Sequence, residues 1–368
     1  MVAPEPPFSG VDEFEVRYNP PRGGFPANSF KLRGEGKVRL HAESLELASS
    51  ARASLREEEQ AVPLRVPLTR VVNVQQGGQA VGFEILPEND KPSAKPARVV
   101  VWLRDEDAAR RLAARLPAVQ TPAFQQTTRE QAEFARRLRT VSPHAPVTRV
   151  LVGVNVLVFV AMVVAGAGLV QVQPDVHIQW GSNFGALTRN GEWWRLITST
   201  FIHFGALHVV LNMLALWLYG DVTERLFGSA RFALLYLLSG VAGSIATALW
   251  NPMANSAGAS GAVFGVFGGM FAFLTLRSTG VPMSIVAPHR KSMLVLLGIN
   301  LFLGVTHPYI DNAAHVGGLV TGFVAGLVLA RPVDPERRAH PEPARVFLFA
   351  MGATAILVAL FVVGTRQF

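Results

Sequence analysis

The chain carries its apolar residues in two different rhythms. Within residues 1–120 they alternate with polar ones, the period of strands that bury one face: Gly36–Ala42, Ser44–Leu47, Arg70–Val74, Ala80–Leu86 and Arg98–Leu103 read this way, with Gly77-Gly78 as a hairpin turn. Asp105–Leu116 shifts to a helical period, acidic at its start and basic later, and is stopped by Pro117. Thr121–Pro146 is polar and charged and is then broken by prolines, which predicts a helix and a flexible linker. The pattern predicts a soluble β-rich domain with a C-terminal helix over residues 1–120 and a linker over 121–149.

From Val150 onward the alternation disappears. Uncharged apolar runs follow one another at Val150–Val170, Ala206–Phe227, Phe232–Trp250, Ala259–Leu276, Met293–Val305, Ala313–Ala330 and Val346–Gly364. Most approach the ~20 residues that a helix needs to cross a bilayer core, and the fifth is short. They predict an α-helical polytopic membrane protein: a six-helix core over 150–335, then a loop and a seventh helix over 336–368. Gly and Ala crowd the third, fourth and sixth runs, which suits helices whose backbones approach closely.

Loop charge predicts orientation. Arg136, Arg137, Arg139 and Arg149 precede the first run, Arg225 and Arg231 join the second and third, Arg277, Arg290 and Lys291 the fourth and fifth, and Arg331, Arg337, Arg338 and Arg345 the last two. The opposite loops hold little beyond Arg189 and Arg195, so the Arg-rich ends are expected in the cytoplasm. No apolar signal region stands in Met1–Asp12, so the N-terminus is expected to remain cytoplasmic, with a bacterial inner membrane as the expected location. Composition agrees: half of the residues are hydrophobic and 16% are charged, against roughly 25% charged in soluble domains. Zero Cys excludes disulfides, thiolate metal sites and cysteine catalysis. No nucleic-acid partner is expected.

Two polar residues stand at the mouths of these runs. Ser260 lies in Gly258-Ala259-Ser260-Gly261, and His315 in Ala314-His315-Val316-Gly317-Gly318. Such groups are costly in hydrocarbon and are functional candidates by default. By the charge rule both lie near the extracytoplasmic face. A serine hydroxyl needs a base within hydrogen-bond reach, and neutral histidine fills that role near neutral pH. Gly318, Gly322 and Gly326 recur every four residues on the face of His315, a smooth stripe that lets the sixth run approach the fourth. No acidic residue is placed to orient the imidazole, and Asp311 is expected out in the loop, so the pair reads as a dyad. Other hydrolase patterns fail on particular residues. Position 262 is Ala where a nucleophile elbow, Gly-x-Ser-x-Gly, wants Gly, His-Glu-x-x-His is absent, and Asp221 has no partner Asp in its run. No metal and no organic cofactor is expected. Plainer readings compete: Ser260 as a helix cap, His315 as a buried hydrogen-bonded residue, Asn212 as interhelical glue, Trp194 as an interfacial anchor.

Taken in order, Trp194-Arg195, His208-Val209-Val210-Leu211-Asn212, the Gly220, Glu224 and Gly228 turn, Gly258-Ala259-Ser260-Gly261, and Ala314, His315, Gly318 and Gly322 resemble the motifs of the rhomboid intramembrane serine proteases over roughly Trp180–Ala330. The resemblance implies Ser260 as nucleophile and His315 as base and then acid. It also implies oxyanion stabilisation by His208, Asn212 and the backbone N–H of Ser260. Phe264 would hold the imidazole ring, where some members have Tyr, and Gly258 and Gly318 would serve close packing at the site. Arg195 and Glu224 are expected to be structural. The implied substrates are transmembrane proteins with small residues at the cleavage site. The alternative is a catalytically inactive rhomboid-like protein that binds transmembrane clients; such relatives lose the Ser or the His, or block the site with Pro before the Ser, where this chain has Ala259. In the N-terminal domain, the order of strands and then a helix resembles the pleckstrin-homology-like architecture. Its basic strand residues are candidate contacts for anionic lipid or a protein partner.

Overall fold

A computed structural model describes residues 11–18, 32, 34–49, 63–88, 96–307, 310–338 and 342–366. The chain divides into two units, Met1–Arg129 and Glu130–Phe368.

In the first unit, β1 (Asp12–Arg17), β2 (Glu35–Leu40), β3 (Ser44–Ser49), β4 (Leu64–Pro67), β5 (Val71–Gly77), β6 (Ala80–Ile85) and β7 (Ala97–Trp102) form one antiparallel sheet in the order β4-β3-β2-β1-β7-β6-β5. The alternation becomes a buried face: Val38 sits opposite Leu47 and Phe83 opposite Val99, and all four are buried. Each side chain of this size stabilises by ~1.5–3 kcal/mol when fully removed from water. α1 (Glu106–Arg115) begins at Asp105, whose carboxylate accepts the Ala108 N–H at 2.8 Å, and it buries Ala109 and Leu112 in the same core.

Two strands were not expected. β1 reads Asp-Glu-Phe-Glu-Val-Arg, and its charges hide the alternation of Phe14 and Val16; they are answered across the sheet, Glu13 by Lys37 and Arg39, and Arg17 by Glu35. β4 ends in Pro67 and lies at the sheet edge, where a missing N–H breaks no ladder. The hairpin turn falls at Gly78-Gln79, because Gly77 still pairs with Ala80. In β5 the register shifts between Val72 and Gln75, and Asn73 takes a positive φ of 58°. Its amide donates to Glu84 at 2.7 Å and its carbonyl accepts the Thr121 N–H at 2.8 Å.

The expected linker is mostly helix. α2 (Pro122–Val141) places Phe134 in the core of the second unit with Leu138 packed against it, four residues apart on one face. Beyond it, Arg225 donates to the Ser142 and Pro143 carbonyls at 3.3 and 2.6 Å. The stretch from Phe134 to Pro143 is therefore anchored, and the expectation of a flexible connection is corrected there.

The second unit continues with α3 (Pro146–Val164) and a loop that contains α4 (Pro174–Trp180), β8 (Asn183–Phe184), α5 (Gly185–Arg189) and α6 (Arg195–Thr198). α7 (Ala206–Ala215) passes through a π turn at Leu216–Gly220 into α8 (Asp221–Phe227), followed by α9 (Ser229–Trp250), β9 (Asn255–Ser256) and α10 (Ser260–Thr275). Next come α11 (Met283–Thr306), α12 (Asn312–Leu329), the short α13 (Pro335–Arg338) and α14 (Pro343–Arg366). All seven apolar runs form helices, the first only as far as Val164, and among the described residues five stretches are long and apolar enough to cross a membrane: Pro146–Val164, Ala206–Phe227, Ser229–Trp250, Asn312–Leu329 and Pro343–Thr365. α10 is apolar but shorter, at 16 residues. α11 is longer than its apolar run implied, because it starts at Met283 and takes in Pro288, His289, Arg290 and Lys291.

α10 is the centre of this unit. Every residue from Gly261 to Met270 is buried, whereas no part of the most apolar stretch of α14 is. The centre is built from glycine. A Cβ at Gly318 would stand 1.9 Å from the Gly261 carbonyl oxygen, one at Gly322 would stand 2.0 Å from that of Gly265, and one at Gly268 would stand 2.2 Å from that of Leu319. α10 and α12 thus touch backbone to backbone, with no room for a methyl group between them.

Candidate active site

The glycine seam brings the starts of α10 and α12 together. A Cβ on Gly261, next to Ser260, would lie 3.3 Å from the carbonyl oxygen of Ala314, next to His315. Ser260 is the first residue of α10 and is partly exposed, while His315 lies in the first turn of α12 and is buried. Phe264, one turn below Ser260 on the same face, stacks on the imidazole with ring centroids 4.0 Å apart and planes 5° from parallel. The stack fixes the plane of the ring over the face of α10 that carries Ser260. Nδ1 of His315 is buried and has no hydrogen-bond partner among the described residues.

His208 reaches the site through a glycine. Gly258 has φ +131°, and a Cβ there would fall 2.8 Å from Cε1 of His208, so only this residue type allows the ring to lie against the turn that leads into Ser260. Nδ1 of His208 accepts the Phe204 N–H at 3.4 Å, and its ring stacks on Phe204. Asn212, one turn below, is buried and donates to the His208 carbonyl at 3.0 Å. Among the described residues this bond stays within the helix and joins no neighbour, unlike the interhelical bridge of the competing reading.

Two further histidines belong to this framework and were not singled out from the sequence. His203 is fully buried, packs edge-on against His208 at 5.1 Å, and accepts the Ala259 N–H at 3.4 Å. Burial above all, then the neighbouring His208 and His177, pushes it down to about 3, so it stays neutral and able to accept. His177 lies 3.3 Å from the His203 carbonyl through Nε2. The available signal was spacing: His203 and His208 flank the start of the same apolar run.

Asp311 is not loose in the loop. It caps α12 by accepting the Ala314 N–H at 3.0 Å, and its other oxygen accepts the hydroxyls of Thr247 and Ser256, both at 2.5 Å. It therefore ties the start of the His315 helix to α9 and to β9, four residues before Ser260.

The remaining motif residues are framework. Arg195 is buried; it pairs with Glu192 at 2.7 Å, donates to the Ile178 and Ser182 carbonyls at 2.7 and 3.0 Å, and lies 4.6 Å over the Trp194 ring. Glu224 is fully buried, with both oxygens at the N-terminus of α3: they accept the Val147 N–H at 3.0 Å, the Thr148 N–H and hydroxyl at 2.7 and 2.8 Å, and the Ser229 hydroxyl at 2.6 Å. A carboxylate so placed meets both the exposed donors and the dipole of that helix end. Among the described residues, no cluster of three His, Asp or Glu is arranged to hold a metal ion.

The sequence has counterparts among known proteins. The Rhomboid domain model matches residues 190–332. The chain is 37% identical over 159 residues to the rhomboid-type YdcA of Bacillus subtilis (strain 168), covering 43% of this chain and 76% of that protein. It is 35% identical over 185 residues to Rhomboid protease GluP of the same organism, covering 50% of this chain and 35% of GluP. It is 38% identical over 194 residues to RHOMBOID-like protein 4 of Arabidopsis thaliana, covering 50% of this chain and 48% of the relative. The chain belongs to the rhomboid family and is an integral membrane protein. Its match spans half or less of the length of GluP and of RHOMBOID-like protein 4.

Proposed function

We propose that the protein is an intramembrane serine endopeptidase that cleaves transmembrane segments of membrane proteins through a Ser260–His315 dyad. The observation that carries this reading is the stack of Phe264 on His315 above the glycine seam, which holds an imidazole over the face that begins with Ser260. His315 takes the Ser260 proton as Oγ attacks a peptide carbonyl. The negative charge formed on the carbonyl oxygen is met by donors from His208, Asn212 and the Ser260 N–H, each contributing a few kcal/mol. Collapse of the tetrahedral species breaks the C–N bond, His315 gives its proton to the leaving amine, and water then releases the acyl group from Ser260 by the reverse proton path. GluP, named a rhomboid protease, supports the reaction class.

In the same reading all seven helices cross a bacterial inner membrane, the Arg-rich ends and the N-terminus lie in the cytoplasm, and the site opens to the extracytoplasmic side. The N-terminal unit acts as a pleckstrin-homology-like module toward anionic lipid or a protein partner; seven antiparallel strands followed by a helix support that comparison.

The test is cleavage of a labelled transmembrane substrate by purified protein in detergent. Ser260→Ala and His315→Ala should each abolish cleavage and leave thermal stability nearly unchanged. Retained cleavage in either variant sinks the dyad, and an inactive parent protein that still binds the substrate would select the client-binding alternative.

A further inference from the structure

The end of the bundle away from Ser260 gathers four arginines. Arg231 opens α9, Arg331 follows α12, Arg338 closes α13, and Arg345 lies in the first turn of α14. Arg331 is only 8% exposed. It lies 3.9 Å from Glu342 and donates to the Arg337 carbonyl at 2.5 Å. Arg345 shares that carboxylate at 3.5 Å. Arg338 spends its donors on the carbonyls of Arg225, Leu226 and Pro332, which accept its hydrogen bonds without neutralising its charge. Burial, then Arg231 and Arg331 nearby, pushes Arg338 down to about 10. Arg231 is half-buried, within electrostatic reach of Arg331, Arg345 and Glu342, and makes no hydrogen bond or ion pair with the described residues. Of the neighbouring carboxylates, Asp221 pairs with Arg225, Asp334 caps α13 through the Glu336 and Arg337 N–H groups, and Glu336 is exposed to solvent.

Among the described residues, Glu342 is the carboxylate placed near Arg331, Arg345 and Arg231, while Arg338 is given carbonyl acceptors. Orientation in a membrane needs positive charge at this end, but it is met by arginines spread into water. Drawing them together and partly out of water adds repulsion and desolvation that a topological signal does not require. Guanidiniums suit phosphate oxygens in particular, through paired N–H donors. The neighbouring apolar surface argues for a lipid rather than a free ion: α9 and α14 pack side by side, and Leu237 on the one and Phe347, Leu348 and Met351 on the other are exposed beside them.

We propose that this arginine cluster binds the phosphate of an anionic phospholipid, with the acyl chains lying along α9 and α14. Arg231 and Arg345 are the contacts to the headgroup, and Arg331 and Arg338 supply the buried positive field.

The test uses the purified full-length protein and native mass spectrometry with phosphatidylglycerol or phosphatidylcholine of identical acyl chains. The parent should retain phosphatidylglycerol in preference to phosphatidylcholine and gain thermal stability from it. Arg231→Gln and Arg345→Gln should each weaken retention about fivefold and remove the stability gain, while Arg290→Gln, the same charge change elsewhere, should leave both intact. If Arg231→Gln fails to fold, Arg345→Gln alone carries the test, since its side chain is largely exposed. Equal retention of the two lipids, or undiminished retention in the folded variants, overturns the proposal. Equal stabilisation by millimolar inorganic phosphate would make the ligand a soluble anion and overturn the lipid assignment.

Discussion

The two units have cores built on opposite rules. In the sheet unit, Val38, Leu40, Leu45, Leu47 and Leu112 are all 0% exposed, and the interior holds because large side chains fill it. Around α10 the interior holds because side chains are missing: Gly261, Gly265 and Gly268 meet Gly318, Gly322 and Leu319 through their backbones. Water explains the difference. A soluble core gains by removing apolar surface from water, whereas a helix in lipid is surrounded by hydrocarbon whether or not it finds a partner, and gains mainly from close contact. α14 makes the same point from outside, with Phe347, Leu348, Ile356 and Val358 all exposed on a helix that water would not tolerate.

Opposite perturbations should therefore break the two cores. The largest effect is expected from Gly318→Leu, which drives a side chain into the Gly261 carbonyl. Its cost should exceed ~3 kcal/mol, the upper part of the overpacking range. Hydrogen exchange resolved by region should show the bundle opening while the sheet unit stays protected. Leu112→Ala should cost ~2–5 kcal/mol by leaving a cavity, with exchange rising in the sheet unit alone. A response of both units to either substitution would defeat the comparison.

Smaller changes sharpen it. Asn212→Ala should lower turnover about tenfold to a thousandfold, as for one oxyanion donor, with the melting temperature unchanged. A lowered melting temperature with intact turnover would make Asn212 a packing residue instead. The smallest effect is expected from removing residues 1–121 and keeping α2. Cleavage in detergent should persist, and differences should appear only in liposomes containing anionic lipid. Loss of detergent activity in a folded truncated protein would show that the sheet unit supports the active conformation.

The sequence revealed most where one physical rule acts alone. Seven apolar runs became helices, and the Gly318, Gly322 and Gly326 spacing announced a close approach, because hydrocarbon leaves a helix few alternatives. Legibility failed where two rules compete. In β1 the charges that bond across the sheet mask the period of Phe14 and Val16, and in β4 Pro67 argues against a strand that the sheet edge permits. Pro288, Arg290 and Lys291 hid the first part of α11, since a proline followed by two cations reads as the end of an apolar run although the helix continues through it. At the candidate site, Ser260 and His315 were visible as polar residues in apolar runs. Asp311 was not: its ties to Thr247 and Ser256 join positions more than fifty residues apart, and no local pattern records them. The helical character of 122–141 was legible, but the docking of Phe134 was not, because one aromatic among arginines reads equally well as exposed.

The glycine seam also sets an order in time. Gly261 and Gly318 lie over fifty residues apart, so at ~5–20 residues per second of synthesis α10 enters the membrane several seconds before α12 exists. Throughout that interval the helix that begins with Ser260 has no imidazole beside it. In the proposed dyad the nucleophile is therefore assembled early and completed late, when α12, the helix of the sixth apolar run, docks against α10.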